Sequence, residues 1–287
     1  MKEYLILGGT GMIGSHLVQQ LTSNGHSTHV LTRSQEKADK LPERATGIVG
    51  DLQNPTDYDQ IFSDAKNVFL VNTVSPAELQ EGLAAINEAK RTGAEKIVYI
   101  SVHRAEDGPN IPHFASKIAI EQALKDSEVP YTIIRPNSFY QNDLWLKDAI
   151  LQYHVYPQPM GNSGLSRVDV RDIARAAMNA LTRSGYENKT YSLVGPEELT
   201  GEQCARIFSE ELGQDVHYGG DDLKAWAEQA SQMMPGWMVY DFSLMYELFQ
   251  RKGLKASDDH LKETQEIVGK APRAYRDFVK ETVKDWK

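Results

Sequence analysis

The chain has 287 residues, 40% of them hydrophobic and 25% charged, with a formal net charge of −9. That length suits one nucleotide-binding unit with an appended substrate region, and the acidic balance argues against bulk attraction to nucleic acid, which needs a basic surface to displace counterions. The one cysteine, Cys204, excludes an internal disulfide and a cysteine-based zinc site and fits a reducing compartment. No apolar run reaches membrane-spanning length and no N-terminal stretch reads as a signal peptide, so a cytoplasmic protein with no metal and no membrane partner is expected.

Tyr4-Leu5-Ile6-Leu7 is apolar on both faces, as a parallel strand covered by helices on each side should be. It runs into Gly8-Gly9-Thr10-Gly11-Met12-Ile13-Gly14, after which Ile13, Leu17, Val18 and Leu21 recur at helical spacing until Asn24-Gly25. Strand, glycine loop and helix in that order make a diphosphate site: free backbone N–H groups and the positive end of the helix dipole face the ligand, and a Cβ in the approach would hold it off. Gly8 allows the turn, Gly11 the close approach and Gly14 the packing of helix against strand. The spacing is G-x-x-G-x-x-G, so the assignment rests on the strand–loop–helix context.

A second strand, Thr28 to Leu31, ends in Thr32-Arg33-Ser34 with no acid before Glu36. A carboxylate here would accept the ribose 2′-OH of NAD, whereas a guanidinium grips a 2′-phosphate. Arg33 therefore points to NADP(H) in preference to NAD(H).

A polar helix follows, then a third strand ending in Gly50-Asp51-Leu52. Asp51 either accepts from the adenine amino group or merely closes the turn before Asn54-Pro55. The fourth strand, Asn67 to Val71, breaks at Asn72-Thr73, which should lie beside the cofactor because ligands in open parallel sheets bind beyond the carboxyl ends of the strands. Helix Ala77 to Arg91, with Leu79, Leu83, Ile86 and Ala89 on its inner face, leads to a fifth strand, Lys96 to Ile100. A helix from about His113 to Asp126 leads to a sixth, Tyr131 to Arg135, stopped by Pro136. Repeated strand and helix in this order predict an α/β fold, a doubly wound parallel sheet.

Beyond about residue 150 the regularity falls. Tyr153 to Gly164 reads as a loop, Arg171 to Leu181 as a helix, Tyr191 to Val194 as a strand, and Gly201 to Leu212 as a helix opened by a Thr200–Gln203 capping box. The remainder from Asp221 is mostly helical. Its methionine and aromatic stripe, Met233 to Phe249, is either core or the wall of a pocket for a flat ligand. The division expected is a dinucleotide-binding domain, 1–152, and a smaller substrate region, 153–287, of which about 165–195 returns to the first domain. Asp169 and Asp172 read as caps of the helix they precede.

The glycine loop, Gly50-Asp51-Leu52, His113-Phe114-Ala115-Ser116-Lys117 leading to Glu121, Ile134 to Asn142 and Val168 to Ala174 together resemble the NmrA-like branch of the atypical short-chain dehydrogenase/reductase superfamily. That branch includes quinone and dye reductases and redox sensors without known activity. The resemblance implies that Lys117 binds the nicotinamide ribose and that Gly8, Thr10, Gly11, Met12, Ile13, Arg33, Asp51, Leu52, Asn72, Thr73 and Asn137 line the cofactor. It places Phe139 and Tyr140 at the substrate side, and the loop 154–166 with the helices after Asp221 as lid and far wall.

Active members of the superfamily use a tyrosine as general acid/base, and here that position is His113. Ser101 matches the catalytic serine only loosely and is given no role. A direct hydride acceptor such as a quinone or cationic dye needs no phenol, because its reduced form is already stable. The function expected is thus an NADPH-dependent reductase of a small conjugated acceptor, with Lys117 as orienter and His113 either protonating the product or structural. The alternative is a catalytically silent NADP(H) sensor that regulates a partner protein, which loses nothing with the tyrosine. A sugar-nucleotide epimerase needs the absent base and is set aside.

Overall fold

From Tyr4 onward the strand Lys2–Leu7 (β1) is apolar without alternation because helices cover both of its faces. Tyr4 and Ile6 point into a core formed with the helix Met12–Ser23 (α1), while Leu5 and Leu7 point into a separate core on the opposite face. The protein was described from a computed structural model, which covers residues 2–286.

Chain order then follows the alternation of strand and helix. Thr28–Thr32 (β2) leads to Gln35–Asp39 (α2), Ala45–Val49 (β3), Tyr58–Phe62 (α3) and Ala65–Leu70 (β4). Glu78–Arg91 (α4), Lys96–Ile100 (β5), Pro112–Asp126 (α5) and Tyr131–Pro136 (β6) complete the second half. Next come Lys147–Tyr153 (α6), Val155–Tyr156 (β7), Val170–Thr182 (α7), Lys189–Leu193 (β8), Gly201–Leu212 (α8) and His217–Tyr218 (β9). Leu223–Ala230 (α9), Gly236–Lys252 (α10), Asp258–Val268 (α11) and Tyr275–Trp286 (α12) end the chain.

The main sheet has the order β3-β2-β1-β4-β5-β6-β8, every pair parallel. Order reverses between β1 and β4, so the loops leaving those two strands diverge and open a crevice, the place where this fold takes a nucleotide. The fold is a doubly wound parallel sheet with a helical C-terminal region. β8 forms one edge of that sheet, and α7 packs on α1 within the same core as Ile267 and Val268 of α11. A third core gathers Tyr140, Tyr156, Phe208, Phe249 and Tyr275 from the C-terminal half.

Some sequence expectations change. Leu79 is 37% exposed and Glu78 only 1%, because α5 supplies Lys117 as a buried partner for the acid, and the face of α4 is set by that pair. β6 includes Pro136; the ladder tolerates it because Asn137 N–H donates to Leu193 O at 2.9 Å and Pro136 O accepts from His103 N–H at 2.9 Å. The segment read as a loop after Tyr153 holds β7, which pairs with β9. The Thr200–Gln203 capping box is present as expected.

Candidate functional site

Position 8 must be glycine for two reasons. Its φ is +83°, and a Cβ there would lie 2.6 Å from Val71 Cγ1 and 2.7 Å from the Val71 carbonyl oxygen, in the loop after β4. At Gly14 a Cβ would fall 2.2 Å from Gly8 O, so the first turn of α1 rests directly on the loop. Gly11 is the N-cap of α1 and has no side chain with which to satisfy the first N–H groups of the helix, and no acid stands in that turn. Those donors, with the positive end of the dipole, suit a diphosphate. The side chain of Ile13 faces the core, so Ile13 contributes only its backbone here.

Arg33 is exposed at the end of β2, immediately before Ser34, the N-cap of α2. One helical turn later, Lys37 lines a cavity of about 260 Å³ together with Gly9, Thr10, Ser15 and Leu41. Among the described residues neither Arg33 nor Lys37 has an acidic partner, whereas Lys40 is paired with Glu36. Lys37, at the cavity beside the glycine loop, and Arg33, just past β2, are cations that could hold a ribose phosphate, and Lys37 is a residue that reading the sequence missed. Its signal was the spacing Arg33-x-x-x-Lys37 across a helix start.

On the other side of the crevice Asn72 is 9% exposed, with its Oδ1 buried and unpartnered, and Thr73 is exposed. Asp51 closes a turn: its N–H donates to Asp57 Oδ2 at 2.9 Å and its Oδ1 accepts from Gln53 N–H at 3.0 Å. Leu52 lies in the core shared by β1 and α4, so only its backbone is available to a ligand.

Lys117 is 7% exposed; its Nζ donates to Glu78 Oε1 at 2.8 Å and lies 5.7 Å from the ring centre of Tyr99. One turn earlier, His113 presents Nδ1 to Asp241 Oδ1 of α10, and its backbone N–H donates to Asp241 Oδ2 at 2.9 Å. His113 and Asp241 line a cavity of about 250 Å³ with Val74, Pro76, Trp237 and Tyr240. α10 therefore forms one wall of this cavity, and the stripe divides: Tyr246 and Phe249 enter the core, while Trp237 and Tyr240 stay at the cavity.

Three expected residues sit elsewhere. Asn137 is 1% exposed and holds the chain together, its Nδ2 donating to Leu254 O at 2.7 Å and its Oδ1 accepting from Ser138 N–H at 2.8 Å. Tyr140 is fully buried in the C-terminal core, where its hydroxyl donates to Arg273 O at 3.1 Å, so it does not line a substrate pocket. Phe139 is half-buried against the core of α1 and α7. The loop 154–166 contributes Tyr156, Met160 and Leu165 to the C-terminal core rather than to the His113 cavity. Asp169 caps α7, as its position suggested, whereas Asp172 accepts from Arg273 N–H at 2.8 Å. Glu121 grips Arg135 through two bonds of 2.8 and 2.6 Å, a structural use of two motif residues.

His103, just past β5, was missed as well. It is 1% exposed, edge-on to His260 at 4.8 Å, with Nε2 unpartnered; burial, followed by the nearby His260 and Arg104, pushes its pKa down to about 3. The unfolded chain binds this proton from about pH 6.5 downward. The folded state refuses it until about pH 3. This contribution to stability is thus complete above the unfolded value and is lost as pH falls between the two. At pH 5 the loss is about 2 kcal/mol. His103→Gln should flatten the acid limb of a denaturant-midpoint profile, and an unchanged limb would contradict the assignment.

Fold and site together define a doubly wound parallel-sheet protein with a glycine loop between β1 and α1 and a histidine at a cavity on α5. The chain belongs to the NmrA-like family, whose model matches residues 1–273. It is 31% identical over 282 residues to the NAD(P)H azoreductase of Xenophilus azovorans, covering 96% of each chain. Among solved structures it is similar to the NADPH-dependent quinone oxidoreductase of Escherichia coli complexed with NADPH, with a TM-score of 0.87 at 21% identity over 97% of this chain and 99% of that one. It is similar too to the Citrobacter sp. triphenylmethane reductase complexed with NADP(H), with a TM-score of 0.85 at 21% identity over 97% and 99%. Among the described residues no helix is long and apolar enough to cross a membrane, and no cluster of three or more His, Cys, Asp or Glu side chains is placed to hold a metal.

Proposed function

We propose that the protein is an NADPH-dependent reductase that delivers hydride directly to a small conjugated acceptor such as a quinone or an azo or cationic dye. The observation that carries the reading is the pair of cavities: cations beside a glycine loop at one, and an apolar and aromatic wall around His113 at the other. Relatedness to an NAD(P)H azoreductase along nearly the whole chain supports the same reading.

The residues fit the coenzyme by three tests. Gly8 and Gly14 leave space that a Cβ would fill, the N-terminus of α1 has no side-chain cap, and Arg33 and Lys37 lack acidic partners among the described residues. NADPH bound there would supply the hydride. The chain's own part is placement and exclusion of water: Val74, Pro76, Pro112 and Trp237 present apolar surface to a flat acceptor, and Tyr240 adds an aromatic edge. The Lys117–Glu78 pair fixes α5 against α4, which sets the position of His113.

The test is steady consumption of NADPH by the purified protein against a panel of quinones, azo dyes and triarylmethane cations. Multiple turnovers with at least one class are expected. Tight NADPH binding with no turnover across the panel would favour a sensor.

A further inference from the structure

His113 and Asp241 form a buried dyad that joins two helices. Asp241 is 2% exposed, in the second turn of α10, and directs both carboxylate oxygens at a single residue: one at His113 N–H, one at His113 Nδ1. The first contact fixes the backbone at the start of α5, and the second fixes the ring. With Nδ1 bound to a carboxylate, the ring orientation is set and Nε2 is the nitrogen left for a ligand. Among the described residues the hydrogen bonds of His113 to a side chain run through its backbone N–H and Nδ1, and the residue lines the cavity next to Trp237 and Tyr240. Phe114 and Phe242 pack edge-on to the imidazole, at 4.7 and 6.2 Å, and stop it from swinging away. A purely structural histidine would not need a ring nitrogen anchored by a buried acid at the wall of a cavity.

We propose that His113, positioned by Asp241, is the proton donor for acceptors whose reduction requires a proton, and that Asp241 is its positioning residue. The proposal rests on the reductase reading above and deepens it by dividing the acceptors into two chemical classes. A quinone that receives a hydride becomes a hydroquinone monoanion. The Nε2–H bond of doubly protonated His113 then breaks as an O–H bond forms, giving neutral quinol and neutral imidazole, which regains a proton from water. An azo acceptor follows the same balance, with hydride at one nitrogen and the proton at the other, to give the hydrazine. A triarylmethane cation is different: hydride closes the central carbon to a neutral leuco compound, and no proton is taken up. The Asp241 carboxylate faces the ring throughout and balances its charge while it carries both protons.

The experiment compares wild type with Asp241→Asn and His113→Asn on a quinone and on a triarylmethane cation, all with NADPH. Both variants should lose about ten- to a hundredfold in kcat/KM on the quinone, at the lower end of what a positioned acid supplies. The loss each variant shows on the cation reports what the altered cavity wall costs any acceptor, and the loss on the quinone should exceed it by about ten- to a hundredfold; near-UV circular dichroism shows that the variants fold. Only the quinone reaction of wild type should slow in heavy water. A readout free of coenzyme is the Nδ1 proton of His113, expected as a strongly downfield NMR resonance in the wild-type protein and absent from Asp241→Asn. Equal loss on both acceptors, or none on either, would overturn the proposal while leaving the reductase reading in place. Failure of wild type to reduce either acceptor would overturn both.

Discussion

Arg33→Asp should weaken NADPH binding on the order of a hundredfold and change NADH binding by no more than about threefold. A hydrogen-bonded guanidinium–phosphate contact contributes about 1.5–3 kcal/mol, and a carboxylate put in its place adds repulsion of a dianionic phosphate. The Arg33 side chain is exposed and has no acidic partner among the described residues, so the substitution should leave the fold intact and act on the ligand alone. Lys37→Ala should add a loss of roughly tenfold, since an ammonium acts as a point charge and not a fork. Titration calorimetry with both coenzymes decides the matter. Equal losses for NADPH and NADH would mean that Arg33 is a surface arginine and that the coenzyme preference lies elsewhere.

That prediction could be written from the sequence because it rests on local order. Strand, loop and helix follow one another within the first 23 residues, and Arg33 stands at the end of the next strand. The doubly wound sheet was legible for the same reason: strands β1 to β6 are apolar runs separated by helical periodicity, and short connections leave little choice of order. Glu78 was not legible. An acid in the first turn of a helix normally faces water, where the dipole favours it, and it turns inward here only because Lys117 waits on a neighbouring helix. Asp241 was hidden in the same way, inside an aromatic stretch whose partner lies 128 positions earlier in the chain.

Tyr140 and Asn137 carry side-chain contacts that the sequence did not show. Both follow β6, at the edge of the sheet where ligands bind, and resemblance alone put them at the pocket. Their side chains face the C-terminal half, which folds onto that edge and takes their hydrogen bonds for itself through Leu254 and Arg273. Position relative to a strand end is readable from sequence, but which of two competing partners occupies that end depends on how a distant segment packs. The histidine replacing the tyrosine was visible from the start. Its buried partner Asp241, which holds both its backbone N–H and its Nδ1, required the structure.

Asp143→Ala should destabilise the fold by about 3–5 kcal/mol, the range seen when one partner of a buried ion pair is removed. Asp143 and Arg167 are both 0% exposed, and nothing in the sequence marks them as partners. Arg167 donates through Nη1 to Asp143 Oδ2 at 3.0 Å and through Nη2 to Asp143 Oδ1 at 2.8 Å; Tyr156 and Tyr275 donate to the same carboxylate. Burial is the largest single influence on Arg167 and opposes its charge, but Asp143 together with Tyr156, Cys204 and Tyr275 outweighs it and holds the guanidinium charged. Burial also raises the Cys204 thiol to about 11, so the one cysteine stays protonated and unreactive beside the cluster. Removing the carboxylate would strand a fully buried cation and leave two phenols without their acceptor. Arg167 also donates to Phe139 O at 2.6 Å, which ties the cluster to the segment leaving β6. Denaturant titration should therefore find a large loss for Asp143→Ala but a smaller one for the double variant Asp143→Leu with Arg167→Met, which leaves the two phenols and Phe139 O unpaired but strands no buried charge. If the single and double variants fall equally, apolar packing and not charge pairing holds this half of the molecule.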